Sequence, residues 1–297
     1  MPTAGWLWVA FTLIAAAAQT IRNAAQRELT ASLGTVGATH VRFLFGFPFA
    51  LIFLLLVSLT VHERPPWPPA IYWPWVIDGA AAQFAATVLM LTAMNDRSFV
   101  VTIAYIKTEP VQVALFGLVL LGDAVTWPMA LAILIATTGV MIMSLKGEAR
   151  GGLKATLLGL GSGALFGLSA IGYRGAILSL GLSDFVMAAT LTLTIGLALQ
   201  SIILTVWLWW RDPKVLAAIA RAWRPSLFAG FMGAFASQFW YLAFAVATAA
   251  SVRTLALVEV LFAQAISRFI FGQPTSLREA AGIVLVVIGV ALLVWAY

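Results

Sequence analysis

The sequence predicts an all-α integral membrane protein with ten transmembrane helices, arranged as two inverted five-helix repeats. Of its 297 residues, 62% are hydrophobic and only 9% are charged, whereas a soluble domain carries about 25% charged residues. Apolar stretches of about 20 residues, the length that crosses a bilayer, recur along the whole chain. The second half of the sequence also repeats features of the first half at a constant spacing.

Turn-forming or charged clusters separate the apolar stretches and so delimit the predicted helices. A proline-rich segment at 62–69 cannot continue the second helix. A charged, glycine-rich linker at 147–153 divides the chain into a first repeat, 1–146, and a second repeat, 154–297. The first apolar stretch follows no basic segment and is interpreted as a retained span. The predicted spans cover 5–26, 36–60, 71–94, 99–121, 127–145, 154–180, 185–210, 226–248, 252–271 and 277–296.

A shift of 150 residues aligns the two halves without a gap. The residues that match are Glu109 and Glu259, Gly122 and Gly272, Thr126 and Ser276, Ala130 and Ala280, Ile133 and Ile283, and the pairs Gly139-Val140 and Gly289-Val290. Because each half has an odd number of spans, its two ends lie on opposite sides of the membrane, and the second half must insert upside down. Inverted repeats are typical of secondary transporters, so the pattern predicts transport.

Lys and Arg in the connections predict the orientation of the chain in the membrane. Only Arg64 lies clearly in an even-numbered connection. The odd-numbered connections are therefore predicted to be cytoplasmic and both termini to be outside. The basic residues that follow odd-numbered spans or begin the next span are Arg27, Arg97, Lys146, Arg150, Lys154, Arg211, Lys214, Arg221, Arg224 and Arg278.

Composition argues against several other classes of function. The formal net charge is +6, but the basic residues are spread through short connections and do not form a nucleic-acid-binding module. With no cysteine and two histidines, the chain offers no thiolate chemistry and no histidine-rich metal cluster. The acidic residues Asp78, Asp96 and Asp123 are scattered, whereas a membrane transferase would need a paired set. No catalytic residue, cofactor or metal site is predicted.

Two glutamates within the spans are the main candidates for function, because an ionisable group in a bilayer costs about 2.5 to 3.5 kcal/mol. Glu109 in the fourth span and Glu259 in the ninth lie about ten residues from a helix end, which places both near the midplane. A carboxyl group buried at low dielectric favours its neutral form, so either Glu is a candidate for proton coupling. The structural alternative is an ion pair of Glu109 with Lys107 or a neighbouring helix, and of Glu259 with Arg253.

The fourth span carries a polar stripe at helical spacing, consisting of Thr102, Tyr105, Glu109, Gln112 and Phe116. Such a stripe is costly against lipid and favourable against a cavity. Pro110 removes one backbone hydrogen bond and predicts a kink or loosened turn. Lys107 lies about 200° from Glu109 on a regular helix, so both face one cavity only if the helix is distorted. Lys107 is a candidate ligand for an anionic group, with an interhelical ion pair as the alternative.

Other polar positions suggest a lined cavity, with interhelical hydrogen bonding as the alternative for each of them. Glycines spaced four apart on the sixth span predict close approach of a neighbouring helix. Tryptophans at the end of the seventh span predict an interfacial belt. These residues are Gln19, Arg22, Asn23 and Gln26 on the first span, Gln83 on the third, Gly159, Gly163 and Gly167 on the sixth, Trp207, Trp209 and Trp210 on the seventh, and Ser237, Gln238 and Tyr241 on the eighth.

The run from Pro110-Val111-Gln112 to Leu121-Gly122-Asp123, followed by Thr126 and Gly139-Val140, resembles the end of an EamA-type repeat of the drug/metabolite transporter superfamily. Arg42-Phe43 is similar to that family's Arg-Phe on the second helix. The chain departs from the pattern at Asp123 and Gln273, where the family has Glu, and at Val260, where it has Pro. The resemblance implies a ten-helix inverted-repeat carrier whose central cavity is walled mainly by helices one, three, four, six, eight and nine.

Taken together, these features predict a secondary active transporter that exports a small amphipathic metabolite such as an amino acid. Alternating access and proton coupling are part of this hypothesis. The alternative is an obligate exchanger of anionic metabolites, in which Lys107, Arg42 and Arg22 bind a phosphate or carboxylate. An integral membrane enzyme or a channel is a more distant alternative. The predicted setting is the cell membrane, the inner membrane in a bacterium, with lipid, the substrate and protons as partners and a monomer or homodimer as the oligomeric state.

Overall fold

The computed structural model describes residues 6–96, 105–144, 153–269 and 275–297. In these ranges every regular element is helical. Thr102, Gln273 and the linker up to residue 152 lie outside the described residues. The helices are α1 (Leu7–Leu44), α2 (Gly46–Val61), α3 (Tyr72–Asp96), α4 (Glu109–Phe116), α5 (Trp127–Ser144), α6 (Leu153–Ser179), α7 (Phe185–Arg211), α8 (Pro213–Arg221), α9 (Trp223–Val246), α10 (Ala249–Leu255), α11 (Glu259–Phe269) and α12 (Leu277–Ala296).

Several of these helices are long and apolar enough to cross a bilayer. By length and composition, five helical segments of the described chain qualify. Two further apolar helices, Glu109–Leu121 and Trp127–Met143, are shorter. The prediction of an all-α, multi-pass membrane protein is therefore confirmed. The five qualifying segments are Glu28–Val61, Thr156–Ser179, Phe185–Arg211, Trp223–Val246 and Leu277–Ala296.

Several helix boundaries and helix shapes differ from the predicted spans. The connection predicted at 27–35 contains a break, because the segment Leu7–Leu44 consists of two helices that meet in a kink at Gly34, which has a φ of 68°. The first of them extends beyond its predicted end at residue 26. Glycine adopts this left-handed conformation without a Cβ clash. The fourth span ends in a wider, π-helical turn at Gly117–Leu121 before the left-handed Gly122. Helix α8, which was not predicted, lies between α7 and α9.

Contacts between residues divide the chain into two compact units, and each unit takes segments from both sequence repeats. The first unit comprises Met1–Val9, Ala81–Ile171 and Ala247–Tyr297. The second comprises Ala10–Ala80 and Gly172–Val246. The sequence repeats at 1–146 and 154–297 are therefore interleaved in the units that the chain forms on folding.

In the first unit, helices α5 and α12 pack closely through equivalent glycines. A Cβ atom at Gly139 would lie 2.7 Å from the carbonyl oxygen of Gly282, and one at Gly289 would lie 2.9 Å from that of Ala132. The two contacts are equivalent, because Gly139 and Gly289, and likewise Ala132 and Gly282, are 150 residues apart. Along α5 the contact positions rise from Ala132 to Gly139, while their partners on α12 fall, so the two equivalent helices are antiparallel. This arrangement confirms the opposite orientation of the two repeats.

Equivalent residues also begin these two helices. The Thr126 hydroxyl accepts a hydrogen bond from the Met129 amide at 3.4 Å, which caps α5. Ser276 accepts from the Glu279 amide at 3.2 Å, and the Glu279 carboxylate accepts from the Ser276 amide at 2.8 Å. A hydroxyl at this position satisfies amides that have no partner within the helix. Capping thus explains why a Thr or Ser occupies this position in both repeats.

In the second unit, α2, α7 and α9 pack against one another. Gly46 allows α2 to approach α9, because a Cβ there would lie 3.3 Å from the carbonyl oxygen of Gly230. The hydroxyl of Thr194 on α7 donates to the carbonyl of Ala50 on α2 at 3.2 Å. In a bilayer, small residues and buried hydroxyls of this kind hold helices together, because apolar contact alone does not distinguish a helix from lipid.

Candidate functional site

The first unit contains a cluster of four charged side chains beside two breaks in helices. In the first repeat, Lys107 and Thr108 form a turn, and α4 begins at Glu109. The Thr108 amide and hydroxyl both donate to the carbonyl of Tyr105, at 3.1 and 2.7 Å. Pro110 lies in the first turn of α4, where its missing N–H costs no helical hydrogen bond. The break predicted from Pro110 is confirmed.

The second repeat has an equivalent break that was not predicted. Helix α10 ends at Leu255, a tighter 3₁₀ turn covers Ala256–Val258, and α11 begins at Glu259. Each glutamate is therefore the first residue of a helix that follows a break. At Glu109 the N-terminus of α4 carries a partial positive charge, which favours a carboxylate. At Glu259 the backbone stays helical through the 3₁₀ turn, and the Glu259 amide donates to the carbonyl of Ala256.

The four charged side chains pair across the two repeats. Lys107 Nζ forms an ion pair with Glu259 Oε1. Arg253 Nε lies 3.1 Å from Glu109 Oε1, although its N–H is not directed at that oxygen. Glu109 and Arg253 also interact electrostatically with Lys107, so the four charges form one cluster. The structural alternative for Glu109 was an ion pair with Lys107 or with a neighbouring helix, and the contact with Arg253 is of the second kind. For Glu259 the expected partner was Arg253, whereas the observed ion pair is with Lys107.

The cluster is mostly shielded from solvent. The side chains of Lys107 and Glu259 are 23% and 15% exposed, and those of Arg253 and Glu109 are 18% and 15% exposed. At this burial a charge without a partner is strongly unfavourable. With two cations and two carboxylates, the ionised cluster is electrically neutral.

Gln112 lies one turn after Glu109 and contacts α6. Its amide nitrogen donates to the carbonyl of Leu160 at 3.3 Å. Its buried side-chain oxygen has no hydrogen-bond partner in the described part of the chain. A Cβ at Gly163 would lie 3.2 Å from that oxygen, and one at Gly167 would lie 3.1 Å from Val113. The close helix approach predicted from the glycine spacing is therefore confirmed at Gly163 and Gly167.

Tyr105 and Gln83 are half-buried residues of the same unit. Tyr105 closes the turn before α4, because its carbonyl accepts both hydrogen bonds from Thr108. Gln83 lies on α3, and its carbonyl accepts from the Thr87 hydroxyl at 2.9 Å.

Among the described residues, no group of three or more histidine or acidic side chains could hold a metal ion.

The second unit contains the other predicted site residues. Arg22 and Arg42 lie side by side against Gly233, because a Cβ there would lie 3.6 Å from Arg22 Cδ and 3.0 Å from Arg42 Cγ. The buried Arg22 donates to the Asn23 side-chain oxygen at 2.7 Å, while Asn23 is exposed. The Arg42 guanidinium lies 5.0 Å from the centre of the Phe43 ring.

Gln238 and Tyr241 lie on α9 and contact α7 and α6. The Gln238 amide nitrogen donates to the Thr190 hydroxyl at 2.8 Å, which is an interhelical hydrogen bond. The Tyr241 ring lies 4.9 Å from that of Tyr173. Gly196 makes room for both tyrosines, since a Cβ there would lie 3.0 Å from Tyr173 and 3.3 Å from the Tyr241 hydroxyl.

Tyr173 and Arg174 on α6 were not among the residues predicted from the sequence. Arg174 is buried and donates to the carbonyl of Phe244 at 2.5 Å. An arginine within an apolar span is itself a signal for a candidate position, because its charge is costly in a bilayer. Arg253 had been considered only as a structural partner of Glu259.

Nearly the whole chain is similar to a known protein family and to a solved structure. The model of the EamA-like transporter family matches residues 6–145 and, a second time, residues 153–295. A solved structure titled "Crystal structure of protein" is 14% identical to this chain, with a TM-score of 0.66 and coverage of 99% of both chains. At this identity the likeness concerns the fold alone. No curated protein matches significantly.

Proposed function

The chain belongs to the EamA-like transporter family, and from this premise we propose that it is a secondary active transporter that exports a small amphipathic metabolite, such as an amino acid. The proposed site is the cluster of Lys107, Glu109, Arg253 and Glu259. The proposed location is the cell membrane, the inner membrane if the organism is a bacterium. Lipid, the substrate and protons are the proposed partners, and the protein acts as a monomer or homodimer.

The two ion pairs that join the repeats carry this proposal. Each pair links a residue of the first repeat to one of the second, beside a break in the helix. In alternating access, one part of the protein moves relative to another around a fixed site. We expect these two ion pairs, unlike the close glycine contact between α5 and α12, to open and close during the cycle, because the helix breaks beside them supply backbone that is able to adjust.

The charges of the cluster favour a zwitterionic substrate. When an ion pair opens at low dielectric, both of its members need a new partner. The ammonium group of an amino acid replaces the cation beside a glutamate, and its carboxylate replaces the anion beside Lys107 or Arg253. The total charge of the site then stays at zero, whereas a substrate with a single net charge would add an unbalanced charge.

Proton coupling follows from the same requirement. A carboxylate that loses its cation in a poorly solvated site becomes neutral by taking up a proton. Glu109 or Glu259 would bind a proton while the site is open to one side of the membrane. It would release the proton when its ion pair forms again.

The test is transport by the purified protein in liposomes under an imposed pH gradient. A thermal-shift screen with neutral amino acids, dicarboxylates and sugar phosphates first identifies a ligand, because a ligand that binds the folded state raises its stability. Glu109→Gln and Glu259→Gln should each reduce the pH dependence of transport of that ligand. Glu63→Gln, at an exposed residue between α2 and α3, is the matched control. Unchanged pH dependence in both site variants would refute proton coupling.

An obligate exchanger of anionic metabolites is the second candidate. The adjacent positions of Arg22 and Arg42 against Gly233 favour it, because two guanidinium groups bind a phosphate or carboxylate well. Counterflow in liposomes separates the two mechanisms. An exchanger requires an anion on both sides, so export driven by a pH gradient alone would exclude it. Loss of counterflow in Arg22→Gln and Arg42→Gln, with Glu109→Gln unaffected, would support it.

A further inference from the structure

The connection between α7 and α9 carries exposed cations and tryptophans that the proposed transport cycle does not use. We define this surface as the basic collar, which consists of Trp209, Trp210, Arg211, Lys214, Arg221, Trp223 and Arg224. All seven side chains are exposed. Trp209 and Trp210 are 71% and 87% exposed.

Helix α8 gives the collar its shape. Pro213 begins this helix, and Ala222 ends it with an amide hydrogen bond to the carbonyl of Ala218 at 3.0 Å. One face of α8 packs on a core formed by α1, α7 and α9. Lys214 and Arg221 are two helical turns apart and so lie together on the opposite, exposed face. The packed residues are Val215, Leu216, Ala218 and Ile219 on α8, with Leu29, Leu33, Val41, Leu208 and Ala229 as their core partners.

The position of the collar relative to the bilayer follows from its neighbours. Helix α7 ends at Arg211, α9 begins at Trp223, and both are long and apolar enough to cross the membrane. Helix α8 therefore lies at one membrane face. Exposed tryptophans prefer the height of the lipid headgroups, so the cations next to them lie at the same height.

The charge of the collar is positive. Between residues 211 and 224 four cations stand against one carboxylate, that of Asp212. Glu28 is exposed and directly precedes Leu29, a residue of the core on which α8 packs. Its carboxylate reduces the excess of positive charge by one more. The Arg224 guanidinium lies 5.4 Å from the centre of the Trp223 ring, which holds this cation beside a residue of the interface.

We propose that the basic collar binds the headgroups of anionic phospholipids. Its cations are exposed on α8 and at the adjoining ends of α7 and α9, which fits a layer of negative headgroups. A soluble anion would instead need convergent donors in a cavity. The tryptophans fix the depth of the surface, and each cation near an anionic bilayer contributes about 1 kcal/mol, a factor of about five in binding. This proposal is independent of which substrate is transported.

The test compares an anionic and a zwitterionic lipid of the same chain length. The full-length protein is placed in phosphatidylcholine vesicles that contain either brominated phosphatidylglycerol or brominated phosphatidylcholine. Bromine quenches nearby tryptophans, so the ratio of quenching by the two lipids reports the preference for the anionic headgroup. Three of the chain's 12 tryptophans belong to the collar. The wild type should prefer phosphatidylglycerol, and 0.5 M NaCl should weaken that preference by screening.

Charge-neutralised variants assign the preference to the collar. Lys214→Gln/Arg221→Gln/Arg224→Gln should bring the quenching ratio close to one. Arg64→Gln removes an exposed cation from the connection between α2 and α3 and is the matched control. An unchanged ratio in the triple variant, or an equal loss in Arg64→Gln, would overturn the proposal. Loss of the preference on adding 10 mM inorganic phosphate at constant ionic strength would show a soluble-anion site and would also overturn it. Circular dichroism verifies that the triple variant is folded.

Discussion

The two helix breaks of the first unit are equivalent in position and different in chemistry. In the first repeat the break has Tyr105, Lys107 and Pro110 around Glu109. In the second repeat the corresponding residues around Glu259 are Leu255, Leu257 and Val260. The first break is a turn next to a proline, and the second is a 3₁₀ turn without one.

The comparison shows which features the two repeats share and which features belong to one repeat alone. Both repeats keep a glutamate as the first residue of a helix after a break. The cation comes from different positions: Lys107 precedes Glu109 by two residues, and Arg253 precedes Glu259 by six. Because each pair joins the two repeats, either repeat is electrostatically incomplete without the other.

Loss of one cation from the cluster is expected to have a large effect. Lys107→Gln leaves the Glu259 carboxylate with less compensation in a poorly solvated site, which should destabilise the fold by about 3 kcal/mol. Lys107→Gln/Glu259→Gln should recover most of this loss, because neither member is then a buried charge. Unfolding in detergent measures both variants. A double variant as unstable as the single one would contradict the pairing of these residues.

The glycine contacts between α5 and α12 should respond equally in the two repeats, unlike the breaks. Gly139→Ala and Gly289→Ala each place a Cβ within 2.7 Å of backbone atoms of the opposite helix. Overpacking of this kind costs about 1–3 kcal/mol. Gly161→Ala is the control, since among the described residues its Cβ would meet only Leu89, at 3.4 Å. Thermal unfolding that differs strongly between the two glycine variants would argue against the symmetry of this interface.

A proline exchanged between the repeats tests whether the second break tolerates the residue found in the first. Val260→Pro changes the first turn of α11, where proline is accommodated, so the cost should stay below about 1 kcal/mol. Val113→Pro, in the interior of α4, should cost about 3 kcal/mol or more. Equal destabilisation by the two substitutions would show that Glu259 does not lie at a true helix start.

The smallest expected effect concerns the caps of α5 and α12. Ser276→Ala removes part of a reciprocal cap and should destabilise by about 1 kcal/mol. Thr126→Ala removes a single, longer bond of 3.4 Å and should cost less. Differences in the midpoint of chemical unfolding between these variants and wild type measure the two effects. A greater loss in Thr126→Ala would reverse the expected order.

The sequence predicts the fold well because hydropathy, turn residues and the 150-residue shift are properties of whole segments. Spacing on an ideal helix is a weaker guide to the site. It separates Lys107 from Glu109 by about 200°. It also gives no sign that the ninth span breaks at Ala256–Val258, where there is no proline. The observed ion pairs depend on both breaks, so Arg253 was not identified as a partner of Glu109. Helix α8 was missed because nine residues between two spans resemble a charged connection.

The contact between α5 and α12 is isologous, since the same surface meets its own equivalent in reverse orientation. In a pair of identical half-chains, every substitution at such a surface would act twice. In the single chain each half changes independently, while the glycines at Gly139 and Gly289 keep the two backbones in contact. Because the halves are covalently joined, a lysine in one half can face a glutamate in the other without a matching contact elsewhere. Two identical halves could form such a pair only twice, as two symmetric contacts.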